Sequence, residues 1–96
     1  MKRLRWSIAA AGDLEEIASY LHLHHPAFAT QTVARLYAAA KSLPKHPLIG
    51  RIGKVSGTRE LVLAPLPYLL VYSVDEEAIH ILRFLHTSRD RSREAQ

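Results

Sequence analysis

The stretch RELVLAPLPYLLVYSVDEEAIHILRFL, residues 59–85, decides the fold of this 96-residue chain. Its apolar side chains alternate with polar ones or run together in short blocks, which is typical of β-strands. Turn residues at 64–67 and 75–77 divide the stretch into strands at 59–63, 68–74 and 78–85. Because turns this short join antiparallel neighbours, we expect a three-stranded antiparallel meander.

The first quarter of the chain predicts a short strand followed by a helix. Residues 3–8 fit an opening strand. Asp13 with Glu16 three residues later is typical of a helix N-terminus, and apolar residues then recur at helical spacing. Pro26 ends this helix, because proline disfavours helical geometry in the residue before it.

A second helix follows and completes the predicted architecture. Pro26 suits its first turn, an apolar stripe at helical spacing follows, and Pro44 and Pro47 bound its end. The two helices should form an antiparallel hairpin. We therefore predict an α+β fold with an N-terminal strand, an α-helical hairpin and then the meander, all strands in one sheet.

Length and composition restrict the kind of protein. A chain of 96 residues fills one core, so residues 1–96 should be a single domain. It contains no cysteine, which excludes disulfides, thiolate metal sites and thiol nucleophiles and suits the cytoplasm. No window is apolar enough for a membrane span, and no phosphate loop or nucleophile elbow is present. We expect no cofactor and no membrane partner.

Basic residues concentrate in three segments of this chain, whose net charge is +4. Residues 1–12 carry three basic residues and no acid, residues 41–60 carry five against one acid, and residues 83–96 carry four arginines against two acids. If these segments converge, they form a patch suited to nucleic acid or to an acidic protein segment. A scattered, solvated set of charges is the alternative.

Four residues of the last two segments are the candidate binding residues. An arginine that starts one strand, another late in a third strand, and a His-x-x-Arg beyond it should gather cationic donors near one end of the sheet. Arginine binds phosphate or carboxylate through two hydrogen bonds and keeps its charge. Alternatively, Arg59 pairs with Glu60 or Asp90, and Arg83 merely extends from the sheet into solvent. The candidates are Arg59, Arg83, His86 and Arg89.

A metal site is a weaker possibility. His22 and His25 stand three residues apart at a helix end but lack an obvious third or fourth ligand. A polar helix terminus, with cationic side chains near its last carbonyls, is the preferred explanation of these histidines. We expect no metal.

Several segments together resemble the ParE-type members of the RelE/ParE toxins over about residues 4–90. No single segment is diagnostic, but their order and spacing are specific. They are Trp6, Asp13-Leu14-x-x-Ile17-x-x-Tyr20-Leu21, His46-Pro47, Gly50-Arg51, Gly57-Thr58-Arg59-Glu60-Leu61, Tyr68 with Tyr72, and Leu85-His86-x-x-Arg89.

This resemblance implies the toxin of a type II toxin-antitoxin system, of the kind associated with plasmid stabilization. It implies a cognate antitoxin that wraps the toxin in a hetero-oligomer, and DNA gyrase as the target, bound without turnover. Arg59, Arg83, His86 and Arg89 are then expected to contact the target or the antitoxin.

Two alternatives stay open. Nuclease-type relatives cleave mRNA on the ribosome, and in this chain His86 with Arg59 and Arg83 would be the catalytic candidates. Those relatives usually place an arginine directly after the position of Tyr68, where this chain has Leu69. They also tend to end in a catalytic aromatic or basic tail, whereas residues 92–96 of this chain contain no tyrosine. The other alternative is a non-toxic or decayed binding module.

Overall fold

The computed structural model describes residues 2–88 and confirms the predicted α+β architecture. No helix within this range is long and apolar enough to cross a membrane. The strands form a single five-stranded sheet in the order β1-β5-β4-β3-β2, in which β1 runs parallel to β5 and every other pair is antiparallel. The elements are β1 (Arg3–Trp6), α1 (Ile8–His24), α2 (Pro26–Ser42), a 3-10 turn (Leu43–Lys45), β2 (Arg51–Ile52), β3 (Arg59–Val62), β4 (Tyr68–Val74) and β5 (Ala78–His86).

The predicted start of the first helix is wrong. We expected Asp13 to cap it, but α1 begins at Ile8 and its N-cap is Ser7, whose Oγ accepts a hydrogen bond from the backbone N–H of Ala10 at 2.9 Å. Serine is as good a cap as aspartate, and the alanines that follow it favour the helix. The predicted strand over 3–8 accordingly ends at Trp6.

The second helix and the meander lie close to their predicted positions. Pro26 is the first residue of α2, and β4 has the predicted bounds of 68–74. The connector between helix and meander contains a short strand, β2, that the sequence did not predict. Two residues carry too little periodicity to be recognised as a strand.

One face of the sheet and the helices enclose the main core. Opposed residues of antiparallel strands share a face, so the register assigns Tyr68, Leu70 and Tyr72 of β4 to the helix side. Leu69 and Leu85 oppose each other on the other face and are also buried. The second face is therefore covered in part, as the apolar blocks in the sequence predict, because Val71 is only half-buried and Arg83 opposite it is exposed.

The turn between β4 and β5 is organised by the Asp75 carboxylate. Its Oδ1 accepts hydrogen bonds from the N–H groups of Glu77 and Ala78 at 2.9 and 2.8 Å, and its Oδ2 lies 2.8 Å from His80 Nε2. The hydrogen bond from His80, followed by those from the two backbone N–H groups, lowers the pKa of Asp75 from 3.8 to about 2.

We predict that Asp75 makes stability depend on pH in the acidic range. Because its pKa is depressed in the fold, the carboxylate contributes its full stabilisation above pH 3.8, and this contribution is lost as the pH falls through about 2. In urea titrations, Asp75→Asn should flatten the pH dependence of the free energy of unfolding across this window. Glu76→Gln in the same turn is the control, and equal slopes for wild type and Asp75→Asn would contradict the assignment.

Candidate functional site

Arg59, the first candidate, holds the loop before β2 in place. Its Nη1 donates to the carbonyl oxygen of Gly50 at 2.7 Å and lies 3.5 Å from that of Leu48. The alternative pairing with Glu60 is wrong, because Glu60 is buried and accepts hydrogen bonds from Arg51 Nη2 and from the backbone N–H of Lys54, each at 3.2 Å. Asp90, the other acid considered for Arg59, lies outside the described residues. A guanidinium bonded to main-chain carbonyls fixes a backbone conformation while keeping its positive charge.

Tyr72 opposes Arg59 across the β3–β4 pair and holds the same loop. Its buried hydroxyl donates to the carbonyl of Pro47 at 2.9 Å and accepts from the N–H of Gly50 at 2.8 Å. A Cβ added at Gly50 would lie 2.8 Å from two atoms of the Tyr72 side chain, so this close approach requires glycine. Tyr72 and Arg59 together give residues 47–50 a defined conformation.

Arg83, the second candidate, is an ion-pair partner of α1. Its Nε and Nη2 lie 2.7 and 2.9 Å from the two carboxylate oxygens of Asp13, and Asp13 Oδ2 also accepts from the N–H of Phe84 at 3.0 Å. The carboxylate therefore binds β5 just beyond Ile81, where its pairing with β1 ends. The Arg83 side chain is 51% exposed and Asp13 only 12%. The alternative that Arg83 merely extends from the sheet into solvent is therefore wrong.

His86, the third candidate, lies at the end of β5 against Tyr68. The two rings meet edge-on with centroids 5.6 Å apart, and Nδ1 of His86 lies 3.0 Å from Ser88 Oγ. The backbone N–H of Ser88 donates to the same nitrogen at 3.3 Å. These contacts fix the ring at the end of the strand. Arg89, the fourth candidate, lies outside the described residues.

The structure does not bring Arg59, Arg83 and His86 together. Arg59 opposes Tyr72 and His86 opposes Tyr68, so they lie at opposite ends of β4, about 13 Å apart along the strand. Arg59 and Arg83 lie on strands that flank β4 on opposite sides, and their hydrogen bonds run to different elements. The prediction that cationic groups gather at one end of the sheet is therefore wrong for these three residues.

A groove between the two helices is a surface that the sequence did not predict. It has a volume of about 480 Å³ at the end near Trp6, where Trp6 stacks on Tyr37 at 5.8 Å and on Phe84 at 5.7 Å. A second hollow of about 380 Å³ shares much of its lining and extends towards His22. The residues common to both parts are Leu14, Ala18, Val33 and Tyr37.

Exposed aliphatic side chains on the β2 side of the molecule form a second unpredicted surface. We call it the apolar tip and define it as Leu48, Ile49, Ile52 and Val55, whose exposed fractions run from 59 to 79%. The sequence did contain a signal, because these apolar residues lie in a connector whose prolines and glycines prevent the helix that their spacing would otherwise suit. Without a helix, they have no apolar face to pack against the core.

Comparison with known proteins gives the family. Residues 4–91 match the model of the ParE toxin of the type II toxin-antitoxin system parDE. The chain is 39% identical over 85 residues to Y4kP of Sinorhizobium fredii, covering 88% of each protein. It is 36% identical over 89 residues to Toxin RelE2 of Caulobacter vibrioides, covering 93% of this chain and 99% of that one.

Two solved structures are also similar. The chromosomal ParDE toxin-antitoxin system from P. aeruginosa contains a chain that aligns with a TM-score of 0.85 and 28% identity, covering 92% of this chain and 98% of that one. The YoeB dimer from Staphylococcus aureus aligns with a TM-score of 0.58 and 17% identity over 85% of this chain and 92% of that one, a likeness of fold alone. The chain belongs to the ParE toxin family of type II toxin-antitoxin systems, and this membership implies a cognate antitoxin partner.

We predict that removing the Asp13 carboxylate destabilises the fold. Asp13→Ala leaves the N–H of Phe84 and the Arg83 guanidinium without this acceptor, which should lower the free energy of unfolding by about 2 kcal/mol. Chemical denaturation measures the change. Glu16→Ala, an exposed acid on the same helix, is the control, and an equal effect of both substitutions would contradict a specific role for Asp13.

We also predict that the Tyr72 hydroxyl stabilises the loop before β2. Tyr72→Phe leaves the Gly50 N–H and the Pro47 carbonyl without their partner and should cost about 1 to 3 kcal/mol in unfolding free energy. Tyr37→Phe is the matched control, because it keeps the ring that stacks on Trp6. Faster amide exchange at Gly50 in the Tyr72 variant alone would locate the effect, and unchanged exchange there would refute it.

Proposed function

We propose that this toxin inhibits DNA gyrase by binding it as a protein, without chemical turnover, in the cytoplasm where gyrase works. The observation that best supports this proposal is that the side chains needed for RNA cleavage do not lie close together. Such cleavage requires a general acid or base close to cationic groups that stabilise the phosphate. His86 lies about 13 Å along β4 from Arg59, and Arg83 is bound to Asp13.

Leu69 also supports gyrase binding over RNA cleavage. Nuclease-type relatives usually have an arginine at this position, and here the side chain is a fully buried leucine on the sheet face away from the helices. A buried leucine offers no charge to a phosphate. The high structural similarity to a chain of a ParDE system agrees with a ParE-like mode of action.

Ribosome-dependent mRNA cleavage is the second candidate, and one observation favours it. This chain aligns with nearly the whole length of Toxin RelE2 of Caulobacter vibrioides, at 36% identity. In this reading His86 would act as general acid or base, with Arg59 and Arg83 near the phosphate. The described geometry would then have to rearrange on the target to bring these three groups together.

The candidate residues take different parts in the binding proposal. Arg83 keeps half of its side chain exposed, and with His86 it offers a polar contact to gyrase or antitoxin. Arg59 acts through the loop that it holds. Arg89 remains a candidate on the strength of the resemblance.

For the antitoxin, we propose that an apolar segment occupies the groove between α1 and α2. The groove is concave and lined mainly by aliphatic and aromatic side chains, which suits a chain segment that folds on binding. Such a segment must offset its ordering cost, so the contact should continue beyond the groove and form a stable hetero-oligomer.

A supercoiling assay with purified gyrase tests the proposed target. Wild-type toxin at micromolar concentration should block supercoiling, Arg83→Ala should block it less, and prior addition of the antitoxin encoded beside the toxin should restore it. Full supercoiling in the presence of wild-type toxin would overturn the proposal. In-frame transcript cuts within minutes of induction, without a DNA-damage response, would favour the ribonuclease instead, and harmless expression would indicate a decayed module.

A further inference from the structure

The apolar tip exposes aliphatic side chains that take no part in the core of this domain. Four aliphatic side chains, 59 to 79% exposed, project from two neighbouring loops and the two-residue strand between them. Ile52 opposes Arg59, and Arg59 holds the carbonyls of Leu48 and Gly50, so Ile52 lies beside the loop that carries Leu48 and Ile49. A group of exposed aliphatic side chains of this kind is typical of a binding surface.

The backbone beneath the tip is fixed by buried polar groups. The Tyr72 hydroxyl and the Arg59 guanidinium hold residues 47–50, and the buried Glu60 carboxylate binds Arg51 and the N–H of Lys54. The loop after β2 is closed by the N–H of Gly53 on the carbonyl of Thr58 at 2.8 Å. The tip is therefore preorganised, which lowers the entropic cost of binding.

The charge around the tip defines the partner's chemistry. Residues 41–59 contain five lysines and arginines and no acid, and the only acid next to them, Glu60, is buried. Lys45 and Lys54 are exposed beside the tip residues, and so is Arg51, although its guanidinium is paired with Glu60. Projecting aliphatic side chains with a basic rim fit a protein surface that has an apolar hollow and acidic edges. Nucleic acid would use the basic rim and leave the aliphatic side chains in water.

We propose that the apolar tip docks on the toxin's protein target, inserting into an acidic-edged hollow of that folded protein. The proposal rests on the proposed function, in which the toxin acts by binding a protein. A projecting, rigid surface suits a folded partner, which supplies the hollow, whereas a segment that folds on binding suits the concave groove between the helices. Target and antitoxin would then use separable surfaces.

The test compares tip variants with equally exposed positions elsewhere. Ile52→Ser with Val55→Ser removes two tip side chains, and Lys54→Glu reverses the rim charge. The controls are Ile8→Ser with Leu23→Ser, which are 94% and 76% exposed on α1, and Arg35→Glu, exposed on α2. Thermal unfolding should be the same for all, because none of these side chains is buried.

With purified gyrase as the probe, each tip variant should inhibit supercoiling at least about tenfold less than wild type, and the controls should match wild type. Binding to the antitoxin encoded beside the toxin, measured by calorimetry, should stay within about twofold for the tip variants. Inhibition unchanged in the tip variants would overturn the proposal. Loss of antitoxin binding in the same variants would also overturn it, since the tip would then belong to the antitoxin interface.

Growth arrest separates this proposal from the choice of gyrase. If wild-type toxin arrests growth without inhibiting gyrase, and the tip variants fail to arrest it, the tip still docks on the target and only the target's identity is wrong. If wild type cleaves transcripts on the ribosome and the tip variants cleave them equally well, the tip proposal fails together with the gyrase proposal.

Discussion

The pairing of β4 with β5, buried under the helices on one face, is the constraint on which the rest of this toxin depends. β1 pairs with the outer side of β5, β3 with the outer side of β4, and α1 packs on β5, while β2 is joined to this pair through β3. The apolar blocks of β4 and β5 leave few positions for polar groups. Polar side chains that do lie here, such as Tyr72 and Arg83, are bonded to specific partners.

The meander could be predicted from the sequence because period-2 blocks between short turns allow few other arrangements. The bounds of β4 and the proline at the start of α2 follow from such local signals. The start of α1 could not be predicted in this way, because Ser7 and Asp13 are both good helix caps. In the fold Ser7 caps the helix and also donates to the carbonyl of Leu82, whereas Asp13 binds Arg83, seventy residues away, and neither long-range contact has a local signal.

The candidate site shows a different limit. Strands β3 and β5 both pair antiparallel with β4, so they run in the same direction, and the start of one lies at the opposite end of the sheet from the end of the other. The separation of Arg59 from His86 therefore follows from the predicted meander itself. The hydrogen-bond partners of Arg59 do not, because nothing local indicates that a guanidinium will bind main-chain carbonyls. Cationic residues in a basic protein can serve its own backbone as readily as a ligand.

The parallel pairing of β1 with β5 has a consequence for how the chain is made. Arg3 stands opposite Ala78 and Trp6 opposite Ile81, so the first strand finds its neighbour only when most of the polypeptide has left the ribosome. A nascent chain therefore lacks a complete sheet until β5 has been made, and contacts so distant in sequence form slowly. Biosynthesis thus keeps the N-terminal strand without its neighbour until some seventy-five further residues have been added.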